Sequence, residues 1–522
     1  MYPACRAVVT PEQWSRVIEA CSDMPDPTAF PEVLSRCRGN GIPPFLPELA
    51  RLEMTVDLAS RDAAAVPHEV DALRVNPALR LLELSWKGLP ALLDHRESQQ
   101  PSPERGNELV LLWPHPETGK TNVRPASSED LLVLKMAVEG ILPETAAAHG
   151  HLSVAAIEAA IRHAVRGGIL LSPPSRIRRD PSVFSAPLDK NSEFLVSPSF
   201  TLQWHITQAC DLHCKHCYDR SERSPLPFDQ AVRVLDDMRA FCRSRNVQGA
   251  ILFTGGNPLL HPDFTAIYRE AAERGFGLAI LGNPASRNRI EELIAIQKPV
   301  FFQVSLEGLP EHNNAIRGSG HFDRIMTFLD MLRELDVYTM VMLTLTSENL
   351  DQVLPLGEML RDRADVFHFN RLSLAGEGAN LRLPSRERYR TFLDEYLIAM
   401  RGNPVLGLKD NLFNILRQEK GLEWFGGCAG YGCGAAFNFV SLLADGEVHA
   451  CRKFPSPIGN VFRRSIAEIY DSPDARQYRL GPVACRSCSI RPACGGCLAS
   501  AYSHGLNIFE DKDPFCFKQD SS

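Results

Sequence analysis

Cysteine placement constrains this chain more than any other feature. Of its fifteen cysteines, eleven fall in two groups. Cys210, Cys214 and Cys217 form one tight cluster, and Cys428, Cys433, Cys451, Cys485, Cys488, Cys494, Cys497 and Cys516 crowd the C-terminal end. Cys5, Cys21, Cys37 and Cys242 stand alone and read as ordinary core or surface thiols. The N-terminus, Met-Tyr-Pro-Ala-Cys-Arg, has no basic-then-apolar signal segment. No run of about 18 apolar residues is present to span a membrane. The expected location is the cytoplasm, where so many cysteines are hard to read as disulfides, so their clustering points to metal.

The 522 residues allow two or three domains, and 44% hydrophobic with 23% charged residues is an ordinary globular balance. The net charge of −7 and the lack of a long basic run argue against non-specific nucleic-acid binding.

Residues 1–100 read as a helical packing module. Leu46 to Leu58 and Ala78 to Trp86 carry apolar residues at helical spacing, with Leu79, Leu82 and Trp86 on one face. Residues 100–106 read as a linker. Over 107–175 the pattern is a strand pair (Leu109 to Trp113, Thr121 to Arg124), a helix from Ser127 to Glu139, a second from Ser153 to Arg166, and a strand at Ile169 to Leu171. This order resembles a small winged helix, and in particular the peptide-recognition domains attached to many peptide-modifying radical enzymes, which bind a leader peptide as an added strand. A winged helix also serves DNA binding or simple packing. Residues 173–199 read as an irregular connector.

From about 200 to 400 strands alternate with helices. Strand-like runs are Leu202 to Ile206, Ala250 to Phe253, Leu278 to Leu281, Val300 to Ser305, Thr339 to Leu345 and Val366 to Leu372. Pro227 to Ser244 and Asp263 to Arg274 are helical. Six strands with crossover helices predict a parallel sheet rolled into a partial (β/α)6 barrel, with its active site at the C-terminal strand ends.

Cys210-Asp-Leu-His-Cys214-Lys-His-Cys217 follows the first of these strands. Four irons want four ligands and only three thiolates are here, which leaves one iron open. A structural zinc site is the alternative, but zinc wants four closed ligands. The spacing is similar to the signature of the radical S-adenosylmethionine (SAM) superfamily, with His216 in the place of an aromatic residue. The resemblance implies a cluster held by the catalytic triplet Cys210, Cys214 and Cys217, whose open iron binds SAM and cleaves it reductively to a 5′-deoxyadenosyl radical. It also implies further SAM contacts. Gly255, Gly256, Asn257 and Pro258 stand where the family has Gly-Gly-Glu-Pro around the SAM amino group, with Asn257 replacing the usual Glu. Asn283 matches the polar end of the third strand. Ser305 and Glu307 match a strand end that faces the ribose. Arg317 matches an Arg near the SAM carboxylate. Asp365, His368, Arg371 and Glu377 flank the sixth strand and are candidates to line the pocket, though each reads more readily as a structural or surface residue; Arg452 and Lys453 read as solvated surface.

The tail, over 425–518, resembles the SPASM domain, which holds two auxiliary four-iron clusters; the step from Cys494 to Cys497 is one residue shorter than usual. By that resemblance Cys428, Cys433, Cys451 and Cys497 hold one cluster, and Cys485, Cys488, Cys494 and Cys516 the other. Paired zinc knuckles are the alternative. The whole is therefore expected to be an α/β protein, a radical SAM barrel between an N-terminal helical and winged-helix region and a SPASM domain. Its cofactors would be SAM and three [4Fe-4S] clusters.

The layout resembles radical SAM peptide maturases, including those of selenobiotic type. It implies a ribosomally made precursor peptide as substrate, oxidised by crosslinking or dehydrogenation, and a low-potential donor such as flavodoxin or ferredoxin. An anaerobic sulfatase-maturase type, making formylglycine, is an alternative; a winged-helix iron–sulfur redox sensor is another.

Overall fold

The computed structural model describes residues 2–21, 26–36, 41–67, 69–93, 102–184 and 192–518. Cys37 lies outside them. The chain divides into two compact units, Met1–Pro174 and Ser175–Ser522.

In the first unit helices α1 (Pro3–Ala7), α2 (Pro11–Ala20), α3 (Phe30–Arg36) and α4 (Leu46–Arg61) precede strands β1 (Arg74–Val75), β2 (Arg80–Lys87), β3 (Glu104–Pro114) and β4 (Thr121–Pro125). Helices α5 (Ser128–Glu139), α6 (Pro143–Gly150) and α7 (Val154–Arg166) and strand β5 (Leu170–Leu171) follow. Strands β2, β3 and β4 form one antiparallel sheet, and β1 pairs with β5. The helix expected at Ala78 to Trp86 is therefore wrong. Leu82, Leu84 and Trp86 turn to the covered face, whereas Leu81 is exposed; a period of two wins over the helical one once β3 supplies a partner.

From Val110 onward strand β3 is buried on both faces, which explains its unbroken apolar run. Val110 and Leu112 pack with Leu46, Leu49 and Leu52 of α4. Leu111 and Trp113 pack with Val133 of α5 and Ala164 of α7. The expected division at 100–106 is thus not a boundary between compact bodies, and β3 begins inside it. Ser127 starts α5 with a capping box closed by Asp130, and α6 is a helix that the sequence reading lacked.

The second unit contains six parallel strands, β6 (Ser199–Thr207), β7 (Gln248–Gly255), β8 (Gly277–Leu281), β9 (Phe301–Ser305), β10 (Thr339–Leu345) and β11 (Val366–Arg371). They lie side by side in chain order, and helices including Phe228–Arg245, Phe264–Glu273 and His321–Glu334 cross between them. Phe200, Leu202, Trp204, Phe253, Ile280, Phe302, Val341 and Phe367 are buried in one hydrophobic core. The alternate residues face the other way, and Gln303, Ser305, Met342, Thr344 and Asn370 line a cavity. Beyond the open edge, β12 (Phe439–Leu442) adds parallel to β6, and β13 (Glu447–His449) and β14 (Pro457–Asn460) continue antiparallel. The tail thus extends the barrel sheet. No helix among the described residues is long and apolar enough to cross a membrane.

Candidate functional site

A cavity of about 960 Å³ opens at the C-terminal ends of the barrel strands. Cys210, Cys214 and Cys217 line it, together with Gly255, Gly256, Asn283, Ser305 and Arg317. Eight of the eleven residues expected around the SAM site therefore share one wall.

The two glycines are there for space. Gly256 N–H donates to Thr207 O at 2.8 Å, and Asn257 N–H to Ala209 O at 2.7 Å. A Cβ on either glycine would sit 2.2 Å from a carbonyl oxygen of that neighbouring segment, Thr207 O for Gly255 and Ala209 O for Gly256. The turn after β7 thus presses directly on the start of the cysteine loop, an approach only glycine permits.

Asn257, Pro258 and Glu307 are not among the lining residues. Asn257 is buried; its Nδ2 donates to Asp211 Oδ1 at 3.1 Å and its Oδ1 accepts from Leu259 N–H at 3.3 Å. Asp211 also accepts from Asn283 Nδ2 at 2.6 Å. Asp211 therefore ties the ends of β7 and β8 to the cysteine loop, a role that the sequence reading missed because nothing in its spacing marks it. Glu307 does not line the cavity. It is buried, receives Arg317 Nε at 2.8 Å and Thr344 N–H at 2.8 Å, and lies 3.1 Å from His216 Nε2. Burial opposes its ionisation, but His216 and Arg317 outweigh that and hold its carboxyl well below the usual range. Arg317 is in turn 3.6 Å from Cys214 Sγ, so its guanidinium lies between Glu307 and the thiol while also lining the cavity.

Of the residues flanking β11, Arg371 lines the cavity. Asp365 instead accepts from the backbone and hydroxyl of Thr339 at the strand's N-terminal end. Glu377 is half-exposed and outside the lining. Arg452 and Lys453 are half-buried cavity residues, not solvated surface. Arg452 donates to Thr254 Oγ1 at 2.9 Å and lies over the Tyr218 ring. The Tyr218 hydroxyl pairs with His205 Nε2 at 3.2 Å, and burial pushes that histidine down to about 3.

The eight tail cysteines separate into two fours. Cys428, Cys433, Cys451 and Cys497 line one cavity, and Cys485, Cys488, Cys494 and Cys516 line another. The thiols of each set of four line their cavity together. The first set shares Asn370, Arg371 and Lys453 with the main cavity. Burial pushes the thiols of Cys451 and Cys485 up to about 12, so they need a bound cation to serve as thiolates. Soft sulfur donors in fours suit iron–sulfur clusters. At the barrel mouth the three-thiol set is incomplete by one, and His216 Nδ1 is buried there without a hydrogen-bond partner. The donor sets fit the groups the sequence implies.

Residues 204–360 match the Radical SAM superfamily. These residues are therefore a radical SAM domain, of the class that binds SAM and an iron–sulfur cluster. Residues 433–497 match the SPASM iron–sulfur cluster-binding domain, which places the chain among radical SAM proteins with auxiliary cluster sites. The chain is 26% identical over 344 residues to the AdoMet-dependent heme synthase of Methanosarcina barkeri, covering 60% of this chain and 95% of that one. It is 28% identical over 335 residues to the mycofactocin maturase MftC of Mycolicibacterium smegmatis, covering 60% and 82%. Its fold is similar to the crystal structure of Streptococcus suis SuiB bound to the precursor peptide SuiA, with a TM-score of 0.51, 16% identity, and 79% and 97% of the two chains covered.

Proposed function

We propose that this enzyme oxidatively modifies a ribosomally made precursor peptide, using one cluster at Cys210, Cys214 and Cys217 and two at the tail sets. The observation that carries this reading is the closure of the eight tail cysteines into two sets of four, the first sharing a wall with the barrel cavity. A fully ligated cluster beside a substrate cavity suits electron removal. The peptide is supported by the similarity to MftC, named a mycofactocin maturase. It is also supported by the match to SuiB, which at 79% of the chain is longer than Ser175–Ser522 alone. In the first unit β4 is a sheet edge, which offers unpaired backbone groups to an added leader strand. A small low-potential protein such as flavodoxin or ferredoxin would supply the electron.

When bound, the cluster at the incomplete set supplies the electron that splits SAM. This chain's own residues position that event. Gly255 and Gly256 let the β7 turn approach the cysteine loop, and Asp211, Asn257 and Asn283 fix the loop to two strand ends. Glu307, itself bonded by Thr344 N–H, holds Arg317 against Cys214. Gln303, Ser305, Thr344 and Asn370 offer polar contacts for SAM and substrate from the strand ends.

A tetrapyrrole substrate is the second reading, favoured by the heme synthase relative, 95% of which is covered. Anaerobic incubation of loaded enzyme, SAM and reductant with the small peptide encoded nearest its gene separates the two. A SAM-dependent loss of two hydrogens from the peptide, read by mass spectrometry, supports the maturase. An unchanged peptide with 5′-deoxyadenosine still forming refutes it for that substrate.

A further inference from the structure

Arg371, at the end of β11, lines two of the three cysteine-lined cavities. Its side chain is 2% exposed. Nε donates to Asp410 Oδ2 at 2.8 Å. Nη1 and Nη2 donate to the two oxygens of Asp513 at 2.8 and 2.7 Å. Nη1 also reaches Ser500 Oγ at 3.2 Å. Asp410 and Asp513 are 8% and 1% exposed. Arg371 lines both the main cavity and that of the first tail set, Asp410 lines the first-set cavity, and Asp513 lines that of the second set.

The network is bonded to the first set itself. Asp513 Oδ2 accepts from the backbone N–H of Cys497 at 2.9 Å, and the carbonyl of Arg371 accepts from Lys453 Nζ at 2.9 Å. One guanidinium faces two carboxylates, and the ammonium groups of Lys409 and Lys453 line the same cavity, so fixed charges of both signs are held against the Cys428, Cys433, Cys451 and Cys497 set. Buried ion networks of this kind contribute little net stability compared with apolar packing. In a low-dielectric interior, however, their charge acts strongly on a neighbouring redox centre. Charge and hydrogen bonding around the ligands are the levers that set such a centre's potential.

We propose that the Asp410–Arg371–Asp513 network sets the reduction potential of the cluster held by Cys428, Cys433, Cys451 and Cys497. It rests on the cluster reading given under Proposed function and is independent of which substrate is oxidised. The three residues are positioning residues, acting through the thiolates and the Cys497 backbone. Removing a carboxylate makes the cluster easier to reduce; removing the guanidinium makes it harder.

The test is an anaerobic redox titration of the fully loaded full-length protein, followed by electron paramagnetic resonance, with the first-set signal assigned by its loss in Cys428→Ser. At a fixed solution potential, Asp513→Asn should raise the reduced-to-oxidised ratio of that signal about tenfold and Arg371→Gln should lower it about tenfold. The surface change Glu334→Gln should leave it unmoved. Opposite signs from two changes in one network are what a merely structural role does not produce. If Asp513→Asn fails to load iron, Asp410→Asn supplies the same sign. Normal iron content with unmoved ratios overturns the proposal alone. A wild-type protein with no cluster in the first set overturns both it and the cluster reading.

Discussion

Gly256→Ala adds one methyl group at the tightest point of the barrel mouth. Its Cβ would lie 2.2 Å from Ala209 O and 2.7 Å from both Ala209 C and Gln208 O. All three are backbone atoms, so no side chain can swing aside, and ordinary contact requires the two segments to part by roughly 1 Å. That parting strains the hydrogen bonds from Gly256 N–H to Thr207 O and from Asn257 N–H to Ala209 O. At about 1 kcal/mol for each bond and about 1–3 kcal/mol for the overpacking, the expected destabilisation is about 3–5 kcal/mol. The segment displaced leads straight into Cys210. A misplacement of about 1 Å at a reacting centre costs about a hundredfold in rate. Gly256→Ala should therefore form 5′-deoxyadenosine about a hundredfold more slowly while both tail sets still load iron. Gly402, whose added Cβ would meet nothing nearer than 3.9 Å, is the control, and Gly402→Ala should be neutral. A wild-type rate of SAM cleavage in Gly256→Ala would refute the claim that this close approach sets the loop.

Cys214→Ala should abolish SAM cleavage, read as 5′-deoxyadenosine; retained cleavage would remove Cys214 from the catalytic cluster. Cys488→Ala should still cut SAM but yield no modified product, and full product formation would sink the electron-exit role of the second tail set. Glu307→Gln leaves a buried guanidinium short of its counter-charge and should cost about 3–5 kcal/mol, against less than about 1 kcal/mol for the exposed Arg287–Glu334 pair in Glu334→Gln; equal urea midpoints would contradict this. Burial pushes His205 and His368 down to about 3 and His321 down to about 4. Each stays neutral when folded but binds a proton on unfolding below its ordinary 6.5. Stability should therefore fall as pH drops below about 6.5, by up to about 4 kcal/mol per pH unit if all three contribute. A thermal midpoint that stays flat or rises between about pH 7 and 5 would refute it.

The residues of covalent chemistry were legible in the chain because their information is local. The Cys210–Cys214–Cys217 spacing, the Gly255-Gly256 pair at a strand end and the six strand-like runs each follow from a few neighbouring residues, and the observed strands agree with those runs to within a few positions. The tail cysteines were divided into the same two fours that the structure gathers around two cavities. Where the reading went astray, the deciding partner was distant in sequence. Ala78 to Trp86 became a strand because β3, some 25 residues on, offered it a ladder and a buried face. Glu307 was diverted from the cavity by Arg317 and His216. Arg371 was drawn inward by Asp513, 142 residues away. Ligand type and spacing are written in the sequence by itself. Which charged groups neutralise one another depends on strands and tail meeting at one barrel mouth, and buried charge is stable only where such a partner arrives.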